Sequence, residues 1–334
     1  MNKTVLATST ALIFLFSGAT MADEKRKDDK NEKLATKIQE LRSQYSTAEL
    51  LSALDMPEQD AGVFHGMLGT GVEFEQTKRG DGVNEGKIKY TLIQGNFRHD
   101  TLPGWDFGFY SGREELYNGE LTHATYDRGV NAIQEIYVNR SYGLSRGSLG
   151  WGVKLASESI DERTTPEAKL FGTYQISPDV EFHGYGLYHV EYKRGTGEFP
   201  YWEIEPGFGF KFTDTSGAWL NFRYQVGQWR PKSGDGEIEK EWIIKPGIWF
   251  NSGKLSYSFW GEFGSFVKTR DSNSAHLWTE DYAKLGVSGN YEISKSWRLF
   301  SEASYKKLKY QSGENRERFN GYIPLFIIGV NYTF

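Results

Sequence analysis

The sequence contains no cysteine and, beyond its first residues, no run of 18 apolar residues. Without cysteine there is neither a disulfide framework nor a site for a lipoprotein anchor. Without a long apolar run no helix crosses a membrane after the leader, which leaves strands as the other way across. Positive charge is also short: 39 Lys and Arg face 44 Asp and Glu, a net charge of -5 that argues against a nucleic-acid partner. The six histidines are scattered, and His183 and His189 stand roughly 20 Å apart at the rise of a strand. No Ser or Asp is placed beside either as a nucleophile, so no enzyme is expected, and neither a cofactor nor a metal is called for.

What the chain has instead is aromatic residues, 16 % of the total, and 38 glycines. That mixture suits many strands joined by tight turns. The opening MNKTVLATSTALIFLFSGATMADEK places Lys3 before an apolar stretch, Ala11 to Phe16, and small residues at Ala19 and Ala22. It reads as a signal peptide, residues 1–22, cleaved after Ala22. Residues 23–62 differ from all that follows. A charge run, DEKRKDDKNEK, precedes Leu34, Ile38, Leu41 and Tyr45 at the spacing of one helix face, and Ser46 with Glu49 forms a capping box for a second helix. This periplasmic segment is expected to be a plug, a partner-binding helix or a tether.

From Val63 the period changes to two. In YWEIEPGFGFKF, Trp202, Ile204, Pro206, Phe208, Phe210 and Phe212 take one face, while Glu203, Glu205 and Lys211 take the other. The pattern recurs fourteen times through residue 334. Tight turns such as SPD and NSGK alternate with polar stretches such as KRGDGVNEG, REELYNGELTHATYDRG and QWRPKSGDGEIEK, which predict long loops at one end of the sheet. About fourteen strands close around a lumen too wide for side chains to fill. The apolar face must therefore meet lipid and the charged face water, which predicts an all-β transmembrane antiparallel up-and-down barrel over residues 63–334. A Gram-negative outer membrane is the expected location, with lipid and lipopolysaccharide as neighbours.

The opposite parity names a pore lining: Glu73, Lys87, Lys89, Asp106, Tyr110, Arg113, Glu135, Tyr137, Lys154, Lys169, Glu181, His183, Tyr185, Glu203, Glu205, Arg223, Lys245, Trp249, Trp260, Glu262, Lys284, Arg298 and Glu302. Both signs occur in comparable numbers, as in a water-filled passage. The aromatics among them could stack on sugar rings, so passive diffusion of small hydrophilic solutes, including oligosaccharides, is the expected function. The rival reading is an adhesin or receptor barrel acting through its long loops.

The strand count, the meander and the closing GVNYTF, Gly329 to Phe334, resemble the monomeric porins of the outer membrane protein G type and the related cyclodextrin channel. The resemblance implies that Phe334, Tyr332 and Val330 form the signal read by the barrel-assembly machinery. It also implies a pH switch on a facing histidine pair, but the matching strands here carry Lys284, Arg298 and Glu302, with only His276 nearby. In the cyclodextrin channel the N-terminal segment acts as a plug, the role the resemblance offers for residues 23–62.

Overall fold

The computed structural model of the chain describes residues 62–334, apart from 120–128, 161 and 314–315. The expected signal peptide and almost all of the N-terminal segment lie outside the described residues. Fourteen strands follow in order: β1 (Phe64–Arg79), β2 (Asn84–His99), β3 (Trp105–Asn118), β4 (Val130–Leu144), β5 (Gly147–Glu158), β6 (Arg163–Ser177) and β7 (Val180–Lys193). The second half holds β8 (Gly197–Thr213), β9 (Ser216–Pro231), β10 (Glu237–Ser252), β11 (Leu255–Arg270), β12 (His276–Glu292), β13 (Trp297–Ser312) and β14 (Arg318–Thr333). Each pairs antiparallel with its neighbours in sequence, and β1 pairs with β14 to close the barrel. Gly66 and Phe334 exchange two backbone hydrogen bonds of 3.0 Å at the closing edge. Closure leaves no strand edge facing hydrocarbon, where unpaired amides would cost several kcal/mol each.

The distribution of side chains is that of a soluble protein turned inside out. Ile136, Leu170 and Leu285 are 62, 65 and 62 % exposed, while Glu203 and Glu205 are only 6 and 7 % exposed. The polar face is the concave one. Lys245 on β10 reaches over β9 to Glu205 on β8, and Tyr282 on β12 reaches over β11 to Glu241 on β10. Contacts that skip a strand form only where curvature draws alternate strands together, on the inside.

The expected long loops are mostly strand. Connections at the end away from the termini are 80–83, 119–129, 159–162, 194–196, 232–236, 271–275 and 313–317. Only 119–129 is long; the polar residues of KRGDGVNEG and QWRPKSGDGEIEK largely continue the strands beside them. Strands here run from 12 to 17 residues, beyond the roughly 9–11 that cross a bilayer. The surplus projects past the lipid, where both faces meet water and the apolar alternation fades. That removes most of the loop area on which the adhesin reading relied. At the other end turns such as 253–254 are tight, with Gly253 at φ 60°. Such short turns mark the periplasmic side of an outer-membrane barrel.

Candidate functional site: the inner wall

Parity along each strand decides which side chains reach the inner wall, and the pairing register decides which of them meet. Twenty-two of the twenty-three residues named from the sequence share the concave face: Glu73 with Lys89, Tyr110 with Glu135, Tyr137 with Lys154, and Glu262 with Lys284 are direct register partners. Arg113 is the correction. It stands three residues from Tyr110 in an unbroken strand, so it takes the opposite face, opposite Ala132, and pairs with Glu115 at 2.6 Å. β2 shows how parity can change within a strand. Its register slips between Thr91 and Ile93, leaving Leu92 and Ile93 both exposed, so Lys87 and Lys89 line the wall before the bulge and Asn96 and Arg98 after it.

The densest polar network lies on β7 to β10. Glu205 accepts hydrogen bonds from Lys245 Nζ at 2.6 Å, Asn221 Nδ2 at 2.9 Å and the Tyr185 hydroxyl at 3.1 Å. Glu203 accepts from Tyr185 and Tyr201. The hydroxyl of Tyr201 also lies 2.6 Å from Gln225, and His183 meets Asn221 at 2.9 Å. Lys169 sits 4.2 Å above the Tyr185 ring. A second sector joins Lys306 to Glu280 at 2.6 Å and places the same ammonium 3.8 Å above the ring of Tyr282. Beneath it Ile243, Leu308 and Tyr282 form a small buried cluster. On β1 to β3, Lys87 spans Glu73 and Glu75 at 3.5 and 3.3 Å, and Lys89 approaches Glu114 at 3.9 Å. Salt bridges of this kind fix the long side chains against the wall and keep them out of the lumen.

Toward the short turns the wall carries fewer charges and more rings. A Cβ on Gly247 would stand 2.1 Å from Cζ2 of Trp219, one on Gly286 2.3 Å from Cζ2 of Trp260, and one on Gly217 2.7 Å from Trp249. These indoles therefore lie flat over glycines of the adjoining strand, with one face against backbone and the other toward the lumen. Trp219, Glu241 and Tyr282 are inner-wall residues that the sequence reading left out. Parity alone would have found Trp219, between outward Ala218 and Leu220; the partners of Tyr282 needed the register.

The mouth opposite the short turns holds a cavity of about 1070 Å³ lined in part by Glu191, Arg194, Phe199, Trp229, Glu237 and Lys268. Two connections beside it are tied together by Asp235, which accepts from the Ser272 amide at 3.2 Å and the Ser272 hydroxyl at 2.5 Å, with Arg270 at 3.9 Å. The Ser272 hydroxyl, above all, holds the Asp235 carboxyl below the ordinary range, assisted by that amide and by Arg270. A pKa lowered by folding stabilises the tie at neutral pH, and that contribution is lost as the pH falls through the folded value. Amide exchange at Ser272, relative to its intrinsic rate, should therefore lose protection below the ordinary aspartate range. Asp235→Asn should flatten that dependence; a wild-type profile that stays flat into acid would refute the assignment.

No curated protein matches the chain. Among solved structures it is similar to OmpT, an outer membrane protein of Vibrio cholerae, at 12 % identity over 83 % of this chain and 99 % of that one, with a TM-score of 0.43. It is also similar to the Pseudomonas putida toluene transporter TodX, at 11 % identity over 86 and 93 % with a TM-score of 0.43. The deltaS2 mutant of the TodX monoaromatic hydrocarbon channel gives 10 % identity over 81 and 90 % with a TM-score of 0.48. The family model is the decisive match: the OMPG-porin 1 family covers residues 46–334. With a fourteen-stranded closed barrel, an apolar outside and a charged inside, the chain belongs to the OMPG-porin 1 family of outer-membrane channels.

Proposed function

We propose that the barrel is a monomeric channel for passive diffusion of small hydrophilic solutes, oligosaccharides among them, with the charged and aromatic residues of the inner wall as its pore lining. The observation that carries the sugar reading is the set of indoles lying flat over glycine, Trp219, Trp249 and Trp260. A ring pressed to the wall offers its open face without narrowing the passage, and that face suits the apolar face of a pyranose, while Ser258, Ser288 and Asn290 nearby supply hydroxyl and amide partners. Residues 1–22 serve as the signal peptide in this reading, and residues 23–62 as a plug. Phe334, Tyr332 and Val330 form the strand end that the barrel-assembly machinery recognises.

Planar-bilayer recording tests the proposal. The full chain should give a steady conductance that linear and cyclic glucose oligosaccharides interrupt. Trp249→Ala and Trp260→Ala should each shorten the blocked intervals by a factor of roughly 2 to 10, the worth of one aromatic contact. Deleting residues 23–62 should raise conductance or reduce flicker. Conductance without sugar block would remove the oligosaccharide reading alone; no conductance even after the deletion would remove the channel.

A further inference from the structure

The outer face has two aromatic girdles. Trp297 and Tyr332 pair near the short turns, and Tyr305 and Tyr322 stack near the opposite end with centroids 5.9 Å apart and planes 14° from parallel. Tyr322 and Tyr332 are ten residues apart on β14, about 34 Å along the strand, which at the usual tilt matches the roughly 25 Å apolar band of an outer-membrane barrel. Tyr305 and Tyr322 therefore mark the outer-leaflet boundary. Immediately beyond that boundary the wall becomes basic at one place. Tyr322 is in register with Lys78 on β1 and with Lys307 on β13, and the next row up sets Asn320 opposite Lys309. Arg318 follows at the rim, opposite Gln311.

Lys307, Lys309 and Arg318 are all exposed. Against them stands, among the described residues, one outer-face carboxylate, Asp281, in register with Lys309, and the described part of the rim connection adds Arg316 and Glu317. The rest of this border is different among the described residues. Arg113 is bound to Glu115 at 2.6 Å and Arg230 to Glu198 at 3.4 Å, while Lys240 stands apart from the other cations on β10. A concentration of cations on β13 and β14, at headgroup height and on the lipid side, faces the layer where the outer leaflet carries its phosphates.

We propose that Lys307, Lys309 and Arg318 form a binding site for the phosphate groups of outer-leaflet lipopolysaccharide. Lys307 and Lys309 are two residues apart on one face, so their ammonium groups can meet one phosphate from above and below, and Arg318 offers a planar fork at the rim. Tyr305 and Tyr322 supply the flat surface beneath, where sugar gives way to acyl chain. The site depends on neither the pore nor its solutes.

The test is native mass spectrometry of the full chain, refolded in detergent and titrated with bisphosphorylated lipid A, monophosphoryl lipid A and phosphatidylglycerol. The wild type should bind the bisphosphorylated form at least about tenfold better than phosphatidylglycerol, with the monophosphoryl form between them. The variant K307Q/K309Q/R318Q should weaken lipid A binding by about 30-fold or more, since each cation near an anionic surface is worth about a factor of five. Lys240→Gln should leave it unchanged. Heat-dependent gel mobility confirms folding of each variant, and if the triple variant does not fold, Lys307→Gln and Lys309→Gln each carry the test at about fivefold. Equal lipid A binding by these variants and the wild type, an equal loss in Lys240→Gln, or no preference over phosphatidylglycerol would overturn the site.

Discussion

Replacing Lys245 by Met should lower the stability of the barrel by about 2 kcal/mol and shift its selectivity toward cations. Glu203 and Glu205 lie two residues apart on one face of β8, both nearly buried, so two carboxylates sit about 7 Å apart on a wall with little water. Lys245 is the cation that bonds Glu205 directly, at 2.6 Å, from a strand two places away. Tyr185 and Asn221 donate to the same carboxylate but bring no charge. Removing one partner of a buried ion pair costs about 3–5 kcal/mol in a dry interior. The Lys245 side chain keeps 18 % exposure on the lumen side, so the lower figure of about 2 is expected here.

Arginine should restore most of the loss, because Lys245→Arg keeps the charge. The measurements are the urea midpoint of the refolded barrel and the reversal potential in a salt gradient. The midpoint should fall in Lys245→Met and recover in Lys245→Arg, and the potential should move toward cations only in the Met variant. An unchanged midpoint in Lys245→Met would show that Tyr185 and Asn221 suffice to hold Glu205.

The second large effect is expected at the seam. Gly329 on β14 faces Gly71 on β1, and the ring of Phe300 from β13 covers both. A Cβ at Gly329 would stand 2.3 Å from Cζ of Phe300 and 2.4 Å from the backbone oxygen of Thr70. The ring could swing into the lumen, but the carbonyl belongs to the closing strand and cannot move without breaking its ladder. Gly329→Val should therefore destabilise the barrel by about 3 kcal/mol, at the upper end of overpacking costs, because it works against closure itself. Gly329→Ala should show most of the same loss, since the clash begins at Cβ. Folded yield and urea midpoint read this directly. A Phe300→Ala, Gly329→Ala pair as stable as Phe300→Ala alone would assign the cost to the ring and not to the seam.

How much of this was legible beforehand differs from one feature to another. Trp202, Ile204, Phe208 and Phe210 announce both a strand and its lipid face, because one residue in two must meet hydrocarbon and no other solvent permits that set on the outside of a wide barrel. The same rule would have put Arg113 outside with Phe109; reading it as a wall charge followed its type and ignored its parity. Strand length was less legible. Beyond the lipid both faces are wet, so the residues of KRGDGVNEG and QWRPKSGDGEIEK keep the ladder without any apolar alternation to show it.

The sequence alone determined the number of strands, the face of most residues outside the β2 bulge and the outer-membrane setting, since a period of two and the polarity of the two solvents are properties of each strand by itself. The tertiary structure decided which residues meet. Lys245 reaches Glu205 over β9, Tyr282 reaches Glu241 over β11, and Lys78 and Lys307 come to flank Tyr322 although the two are far apart in the chain. Such meetings depend on register and closure. A strand's own pattern is the same after a slide of two residues, and only the pairing of β1 with β14 fixes how far each strand is staggered against the next.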